Sequence, residues 1–394
     1  MAMESIDSGR FQFTLHTHVH VGRGVSGRLP DVLQESGFRR IALVVDGGVT
    51  ANPTFVTLRD RLAGSFDLVH ELVNRVSEPD YDYLDECRDR LAAKPFDCLI
   101  GFGGGSSLDL TKALSVLITN PGKALQYRGY NLIKQPGVPV FALPTTAGTG
   151  AEVTPNAVFT ESKEKRKFGI NTSLYLPKVA FLDPLLTVTC PKSVTVASGV
   201  DALMQAIESF VATKATPASR VFSREAFRLV FAALPKVVRE PENLDHREAM
   251  QLGAYYSGIA LMNSAPGPAG AMSYPLGVHY KVPHGLAHAV FEPTIVRWNV
   301  ERGCTLYEDL YGLIDGAPQG LDPKGKGAEF HRRLTALYDE VGIPRSLAPF
   351  GISPQDVRFL AEQTVLLKAA IDFNPVPISV EDITTILASM IKQG

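Results

Sequence analysis

The chain has few cysteines, and they are not arranged as a metal or redox motif. The 4 cysteines are scattered through 394 residues, and no pair has C-x-x-C spacing. That spacing would be needed for a zinc ribbon or a dithiol redox site. Reduced thiols in a cytosolic protein are the simplest interpretation of so few cysteines.

Excess positive charge and long apolar runs are also missing. The 39 Lys and Arg residues are balanced by 41 acidic residues, so we expect no broad cationic surface for nucleic acid. No segment approaches the roughly 20 apolar residues that span a bilayer. The stretch from Met1 to Gly9 has no apolar core, unlike a signal peptide. We therefore expect a cytoplasmic protein with no nucleic-acid or membrane partner.

What the chain does contain is ordinary globular composition, with 45% apolar and 20% charged residues. In its first half, short apolar runs bounded by Gly, Pro, Asp or Thr alternate with helical patterns. Such runs are typical of parallel strands buried on both faces. The runs cover residues 41–45, 98–100, 138–143 and 179–182. Alternating apolar residues over 11–21 predict an edge strand or hairpin.

The second half has a different pattern, in which amphipathic helical segments follow one another without a convincing strand. They cover residues 194–213, 218–233, 248–262, 285–299, 328–341, 354–370 and 380–392. We predict an α/β domain with a parallel sheet over residues 1–187 and an all-α domain over 188–394. A cleft between two such domains is a favoured place for a ligand.

The strongest chemical signal is a glycine triplet between a predicted strand and a predicted helix. The segment reads Gly101-Phe-Gly-Gly-Gly-Ser-Ser-Leu-Asp-Leu-Thr-Lys112. Glycine allows a backbone to lie against a ligand, and a helix N-terminus offers unpaired N–H groups and partial positive charge. The pattern therefore indicates a pyrophosphate site, although a tight turn before a serine-capped helix would look the same.

Two further polar segments follow predicted strands. Pro144-Thr-Thr-Ala-Gly-Thr-Gly-Ala-Glu152 offers hydroxyls and glycines at the end of a sheet where open α/β folds bind ligands. Asp46 ends the first buried run, where a carboxylate can accept from an adenosine ribose 2′-OH and would repel a 2′-phosphate. This favours NAD over NADP. A polar turn and an Asx turn are the plain alternatives.

These motifs, in this order, resemble the iron-containing (group III) alcohol dehydrogenase family of the dehydroquinate synthase-like superfamily. The resemblance covers nearly the whole chain. It implies a Rossmann-like domain, a helical domain, and NAD(P) in the cleft of an alcohol dehydrogenase-like oxidoreductase. The family motifs are Val44-Val-Asp46, Gly103-Gly-Gly-Ser-x-x-Asp-x-x-Lys112, Pro144-Thr-Thr-x-Gly-Thr-Gly-x-Glu152, Lys167, Asp183-Pro184, Asp201-Ala-Leu-x-x-Ala-Ile-Glu208, Pro283-His-Gly285 and Asn374-Pro-x-Pro-x-Ser-x-Glu-Asp382.

The resemblance also implies which residues bind the cofactor. Asp46 would bind the adenosine ribose, Lys167 the nicotinamide ribose, and Asp109 would brace the glycine loop. The pyrophosphate would be held by Gly103, Gly104, Gly105 and Ser106. Nicotinamide-side or phosphate groups would be held by Thr145, Thr146 and Thr149.

The metal site of the family is altered in this sequence. Family members usually bind Fe²⁺ or Zn²⁺ through one Asp and three His. Asp201 and His284 match two of these positions, but Gln205 and Gly270 occupy the other two, and Tyr274 replaces a further histidine of the pattern. Glycine has no side chain to donate, and a neutral amide is a poor ligand for these metals. We therefore expect no bound metal.

Without a metal, another group must stabilise and protonate the substrate oxygen. His284 and Tyr274 are the predicted catalytic residues, and Asp201, Gln205 and His288 the predicted substrate contacts. His279 and His288 could share a face with His284 only in a continuous helix, which Pro283 argues against. Tyr274 and Asp201 could instead have purely structural roles.

Three functions remain open at this point. The first is a metal-independent, NAD-dependent oxidoreductase acting on a small polar alcohol, aldehyde or keto acid; the maleylacetate reductases are metal-free relatives. The second is a lyase or cyclase similar to dehydroquinate synthase, in which NAD is recycled. The third is a non-catalytic NAD-binding protein. Homodimers are common in the family, so a homodimer is expected, but the substrate cannot be named.

Overall fold

The structure is a computed structural model that describes residues 10–391. The expectation about Met1 to Gly9 falls outside these residues. Two compact units form. One comprises His16–Gly199 and Lys236–Tyr255, and the other comprises residues 10–15, Val200–Pro235 and residues 256–391. The division at 187/188 stays a prediction about domain organisation.

The first unit contains a six-stranded sheet in which every neighbouring pair is parallel, in the order β1-β9-β6-β4-β2-β3. A smaller sheet has the order β5-β8-β7. The strands of the described residues are β1 His18–Val21, β2 Arg40–Asp46, β3 Asp67–Asn74, β4 Cys98–Gly103, β5 Gly129–Tyr130, β6 Val140–Pro144, β7 Asn156–Glu161, β8 Arg166–Asn171 and β9 Val179–Leu182. The predicted parallel α/β architecture is confirmed.

The packing of strand β2 explains why its sequence is an unbroken apolar run. Ala42 and Val44 pack in one hydrophobic core, while Ile41, Leu43 and Val45 pack in another. Because successive side chains of a strand point to opposite faces, both faces of this sheet are covered. The accompanying helices are α1 Leu29–Glu35, α2 Pro53–Ser65, α3 Tyr81–Leu91 and α4 Gly105–Leu117.

After residue 190 the described chain is helical, as predicted. The helices are α5 Lys192–Val211, α6 Pro217–Arg239, α7 Leu244–Met262, α8 Pro268–Tyr280, α9 His284–Glu301, α10 Tyr307–Tyr311, α11 Pro323–Val341, α12 Val357–Thr364, α13 Lys368–Asp372 and α14 Val380–Ile391. Helix α5 is long and apolar enough to cross a membrane, with a mean hydropathy of 1.2, but 78% of that window is buried inside the structure. Such burial is typical of a core helix.

Several predicted elements differ from the structure. Residues 354–370, predicted as one helix, divide into α12 and α13. Only His18–Val21 of the alternating stretch 11–21 is a strand, and it lies at an edge of the large sheet. Strand β3 was not predicted because it lies at the opposite edge, and its polar residues interrupt the apolar pattern. Helix α8 was also missed, although Pro268 occupies its first turn, where proline is well tolerated.

Candidate functional site

The glycine triplet lies at the point where the chain changes direction across the large sheet. From β2 the chain passes to β3 on one side and then to β4 on the other. Asp46 ends β2 and Gly103 ends the neighbouring β4, while α4 begins at Gly105. The carboxyl ends of strands at such a switch point are the usual ligand site of open α/β sheets. The N–H groups of the first turn of α4 are available there for an anion.

Two predicted cofactor-binding threonines lie directly against this loop. A Cβ added at Gly105 would come within 2.7 Å of Thr149 Cγ2, and one at Gly104 within 3.1 Å of Thr146 Cγ2. Thr145 N also donates to Gly103 O, at 3.0 Å. Glycine is therefore required for the close approach of the two loops, and the predicted glycines and threonines form one contiguous surface.

Asp46 is held in place by hydrogen bonds at both carboxylate oxygens. Oδ1 accepts from Gly48 N at 2.8 Å, and Oδ2 accepts from Ser107 Oγ at 3.0 Å. Asn74 Nδ2 donates in turn to Ser107 Oγ, at 2.9 Å. The carboxylate thus has a fixed orientation at the end of β2, which is what recognition of a ribose hydroxyl requires.

The other predicted residues of this region make well-defined contacts. Ser106 Oγ donates to Ser77 O at 2.5 Å. Asp109 forms an ion pair with the fully buried Lys112 at 2.9 Å and accepts from Val158 N at 3.0 Å, which connects α4 to β7. Lys167 Nζ lies 2.7 Å from Glu78 Oε2. The structure therefore gives Asp109 bracing contacts and gives Lys167 an acidic partner.

A second group of polar residues lies inside the helical unit. Asp201 and Glu208 are seven positions apart on α5, and His284, His288 and Glu292 follow at four-residue spacing on α9. Residues at these spacings lie on one face of a helix. Asp201, Glu208, His288 and Glu292 are each 3% exposed or less. We call these four residues the buried polar cluster.

His288 is the centre of the buried polar cluster. Its Nδ1 lies 3.2 Å from Asp201 Oδ1 and its Nε2 3.1 Å from Glu208 Oε2. Burial alone would lower the pKa of His288, but the charge of Glu208 and the hydrogen bonds to both carboxylates raise it to about 10. Burial raises the pKa of Glu292 well above its usual range, and the nearby charge of Glu208 raises it further. The cluster therefore attracts positive charge strongly.

Two of the residues at the metal position that the resemblance implies, Gln205 and Gly270, offer no imidazole, although ligand atoms of Asp201, His284 and His288 lie within 4.8 Å of one another. Gln205 Nε2 donates to Asp201 Oδ2 at 2.8 Å, so both oxygens of Asp201 are already engaged. Gly270 supplies only a backbone N–H, which donates to Glu208 Oε1 at 3.1 Å. A Cβ at Gly270 would lie 3.2 Å from Glu208 Oε2 and 3.4 Å from His288 Nε2. The space for a ligand side chain is thus taken by these two residues.

The two predicted catalytic residues lie side by side. The ring centroids of Tyr274 and His284 are 5.3 Å apart, and both side chains are partly exposed. His284 Nδ1 lies 3.2 Å from Ser273 Oγ, while its Nε2 is 3.9 Å from Asp201 Oδ1. A partly exposed imidazole beside a phenol can exchange protons with an oxygen of a bound molecule.

His279, by contrast, does not join these residues. It lies on α8, and its ring centroid is 4.9 Å from that of Phe359. Residues 281–283 separate α8 from α9, as expected from Pro283. For His288 the expectation is wrong, because His284 and His288 both follow the break, four positions apart on α9, and therefore share a face.

Sequence reasoning missed three residues of this region: Glu208 as a partner of His288, Ser273 and Glu292. The spacing contained a signal for two of them. Glu208 is two helical turns beyond Asp201, and Glu292 is one turn beyond His288. Nothing in the sequence pointed to Ser273.

Comparison with known proteins connects both regions to one family. Residues 16–184 match the family described as "Iron-containing alcohol dehydrogenase", and residues 195–391 match "Fe-containing alcohol dehydrogenase family, C-terminal". An NAD-dependent methanol dehydrogenase of Bacillus methanolicus is 30% identical over 93% of this chain and 96% of its own. A lactaldehyde reductase of Escherichia coli is 31% identical over 92% and 94%. The structure of an alcohol dehydrogenase from Oenococcus oeni has a TM-score of 0.92 at 27% identity, covering 97% of this chain and all of that one.

Proposed function

Because the chain belongs to the iron-containing alcohol dehydrogenase family and is an NAD-dependent alcohol dehydrogenase-like oxidoreductase, we propose that it interconverts a small polar alcohol and its carbonyl compound without a metal ion at the reacting oxygen. Two of the relatives are a methanol dehydrogenase and a lactaldehyde reductase, which supports a small substrate. A short aldehyde or keto acid is the substrate class we propose.

The nucleotide belongs to the first unit in this proposal. The pyrophosphate binds at Gly103–Ser106 and the N-terminus of α4, and Asp46 accepts from the adenosine ribose. Thr145, Thr146 and Thr149 bind the nicotinamide-side and phosphate groups. The contiguous surface of glycines and threonines supports this assignment. The fixed carboxylate of Asp46 supports NAD over NADP, because it would repel a 2′-phosphate.

One observation carries the metal-independent mechanism. At the family's metal position, Asp201 is hydrogen-bonded at both oxygens by Gln205 and His288, and Gly270 has no side chain. An ion held by Asp201, His284 and His288 would have to displace the hydrogen bond between Asp201 and His288 and would still lack one imidazole of the family's ligand set. The residues present therefore favour a reaction that uses no Lewis acid at this position.

Tyr274 and His284 take over the handling of the proton. Bound NADH would supply the hydride for the reduction, and the Tyr274 hydroxyl donates its proton to the carbonyl oxygen of the substrate. His284 then returns a proton to the phenolate, and solvent reprotonates the imidazole. The contact between the two rings and their partial exposure support this relay. Asp201 stays beside His284, where its negative charge stabilises the imidazolium.

Gln205 remains a proposed substrate contact. Asp201 is buried with both carboxylate oxygens engaged, which favours a positioning role beside His284. His288 is likewise buried with both ring nitrogens engaged. Its geometry favours orienting Asp201 over touching substrate. A cytoplasmic homodimer remains our expectation. The unpaired cysteines of the structure are compatible with a reducing compartment.

The proposal is tested by following NADH absorbance with a panel of short aldehydes and keto acids. We expect turnover that persists after prolonged incubation with EDTA and is not increased by added Fe²⁺ or Zn²⁺. Activity that disappears with the chelator and returns with the ion, while the protein stays folded by circular dichroism, would disprove the metal-independent mechanism.

A further inference from the structure

The buried polar cluster contains more carboxyl groups than its single histidine can pair with. Asp201, Glu208 and Glu292 supply three carboxylates around His288, all within the interior of the helical unit. Burying unpaired carboxylates is strongly unfavourable unless a cation or protons compensate. Something positive beyond the His288 proton must therefore accompany these side chains.

Glu292 is the member of the cluster that has an unpartnered carboxyl oxygen. Its side chain is 1% exposed, and its Oε2 has no hydrogen-bond partner among the described residues. A cavity of about 10 Å³ borders Glu208 and Glu292, which is close to the volume of one water-sized particle. The cavity adjoins two of the carboxyl-bearing side chains of the cluster and has room for one small particle.

The donor atoms around Glu292 converge. One ligand atom each from Glu208, His288 and Glu292 lies within 4.8 Å of the other two. Glu208 Oε2 and His288 Nε2 are already 3.1 Å apart. Ligands of a tetrahedral ion with bonds of about 2.1 Å are separated by roughly 3.4 Å, so small side-chain movements would complete the site.

The other side of His288 is arranged as a metal-binding histidine requires. Its Nδ1 lies 3.2 Å from Asp201 Oδ1, and Gln205 holds the second oxygen of Asp201. Histidine ligands commonly donate the N–H opposite their metal to a carboxylate, which orients the ring. Asp201 has this supporting position, and Nε2 is left facing the two glutamates.

We propose that Glu208, His288 and Glu292 bind one first-row divalent cation as a buried structural site. One imidazole and two carboxylates suit Zn²⁺, Fe²⁺ or Mn²⁺. Binding replaces the proton on His288 Nε2 and leaves Glu292 ionised, so the ion supplies the compensating charge. This inference departs from the sequence-based expectation of a metal-free protein, but it leaves the proposed reaction unchanged.

The site differs from the family's metal position in its ligands and in its role. Asp201 becomes a support, and Glu208 and Glu292 become ligands further along α5 and α9. A Cβ at Gly267 would come within 2.6 Å of Glu208 Oε1, so glycine is needed for the Glu208 carboxylate to lie where it does. The ion would connect α5 to α9 at a buried position, and bidentate binding by one of the two carboxylates would supply the fourth ligand atom that a structural site requires.

The test is metal analysis of the full chain purified without a metal-affinity column. We expect close to one mole of a first-row metal per mole of wild-type protein after gel filtration. Glu292→Gln should reduce this at least tenfold and lower the melting temperature. The matched control is Glu301→Gln, the same change at an exposed position of the same helix, which should keep the ion.

Glu292→Gln is informative because glutamine has the shape of a protonated glutamate. If protons alone compensate the cluster, Glu292→Gln has the same melting temperature as the wild type. In that case neither Zn²⁺ nor Mn²⁺ added to the metal-free wild type raises the wild-type melting temperature. This result would overturn the proposal. Glu208→Gln serves as a second variant and should also lose the ion.

A His284→Ala variant separates this site from the family's position and from the proposed function. If the ion is held by Glu208, His288 and Glu292, this variant keeps it while losing turnover. Loss of the ion from His284→Ala, with retention in Glu292→Gln, would place it at the family's position and disprove the inference. If EDTA abolishes turnover while metal analysis still finds the ion bound, the proposed metal-independent mechanism is disproved and the structural site is not.

Discussion

The glycine loop of the first unit and the buried polar cluster of the second differ in what they are made of. The loop offers main-chain N–H groups at the start of α4 and small residues that allow close approach. The cluster offers side-chain oxygens and nitrogens from α5 and α9. The family's motif is intact at the loop, whereas its ligand set is broken in the helical unit.

The difference shows how each kind of site tolerates substitution. A backbone donor is present whatever residue carries it, so a loop site depends mainly on the absence of side chains. A metal site made from side chains loses a bond with each ligand replaced. Gly270 offers no ligand atom from a side chain, and the ends of Glu208 and His288 lie close to where its Cβ would be.

Buried charges are also compensated differently in the two regions. In the cluster, His288 lies between two carboxylates. Glu152, which follows the threonine loop, is 4% exposed, and burial raises its pKa to about 7, although the charge of Lys112 partly opposes the shift. The first unit therefore contains a carboxyl group that is neutral over part of the working pH range.

The largest effect is expected from removing the proposed proton relay. His284→Ala should lower kcat by about 10²–10⁴-fold, the usual contribution of a general acid–base. The dissociation constant for NAD, measured by calorimetry, should remain unchanged. Tyr274→Phe, which removes only the hydroxyl, should lower kcat in the same way.

Two other outcomes would show that the two regions do not have the separate functions proposed for them. If both variants keep wild-type kcat, the proton is handled elsewhere. If His284→Ala weakens NAD binding as strongly as it lowers kcat, the two regions do not have separate functions.

The next largest effect concerns the pH dependence of stability at Glu152. Its pKa is about 7 in the folded protein and near 4.5 when unfolded, so the folded state holds the proton more tightly. Wild-type stability should therefore fall as pH rises from 4.5 to 7, by about 3 kcal/mol for a shift of this size. Glu152→Gln cannot ionise and should lose this part of the pH dependence.

Urea unfolding at several pH values measures this difference. The exposed Glu86→Gln is the matched control and should follow the wild type. A Glu152→Gln curve parallel to the wild-type curve would show that Glu152 is ionised in the folded protein throughout.

The smallest effect is expected from adding one methyl group to the glycine loop. Gly105→Ala places a Cβ 2.7 Å from Thr149 Cγ2, which forces the two loops apart. Strain of about 1–3 kcal/mol corresponds to a rise of about 5- to 150-fold in the dissociation constant for NAD. Gly64→Ala in α2 meets nothing within 4 Å and should leave NAD binding unchanged. Equal affinity in both variants would argue against binding at this loop.

Much of the fold could be predicted because the sequence signals are local. The run 41–45 lies within β2, and 179–182 coincides with β9, since strands covered on both faces are apolar at every position. The glycine loop is equally local, because its strand, turn and helix are consecutive. Asp201 and His284 could be found through the family motifs, although they are far apart in the chain.

The buried polar cluster could not be predicted in the same way. His288 and Glu208 are 80 residues apart, and their contact depends on how side chains of α5 and α9 meet. Helical spacing places Glu292 on the face of His288 but does not say what that face contacts. The pKa shifts of His288 and Glu152 likewise depend on burial, which no local pattern specifies.

The contact between the Gly270 backbone and Glu208 couples position 270 to the proposed ion site. A side chain at position 270 would begin 3.2 Å from Glu208 Oε2 and 3.4 Å from His288 Nε2, two of the proposed ligand atoms. A larger residue there would therefore have to move these ligands by a few tenths of an ångström or more. Occupancy of the buried site should for this reason be sensitive to the residue at position 270, even though that residue contributes no ligand atom.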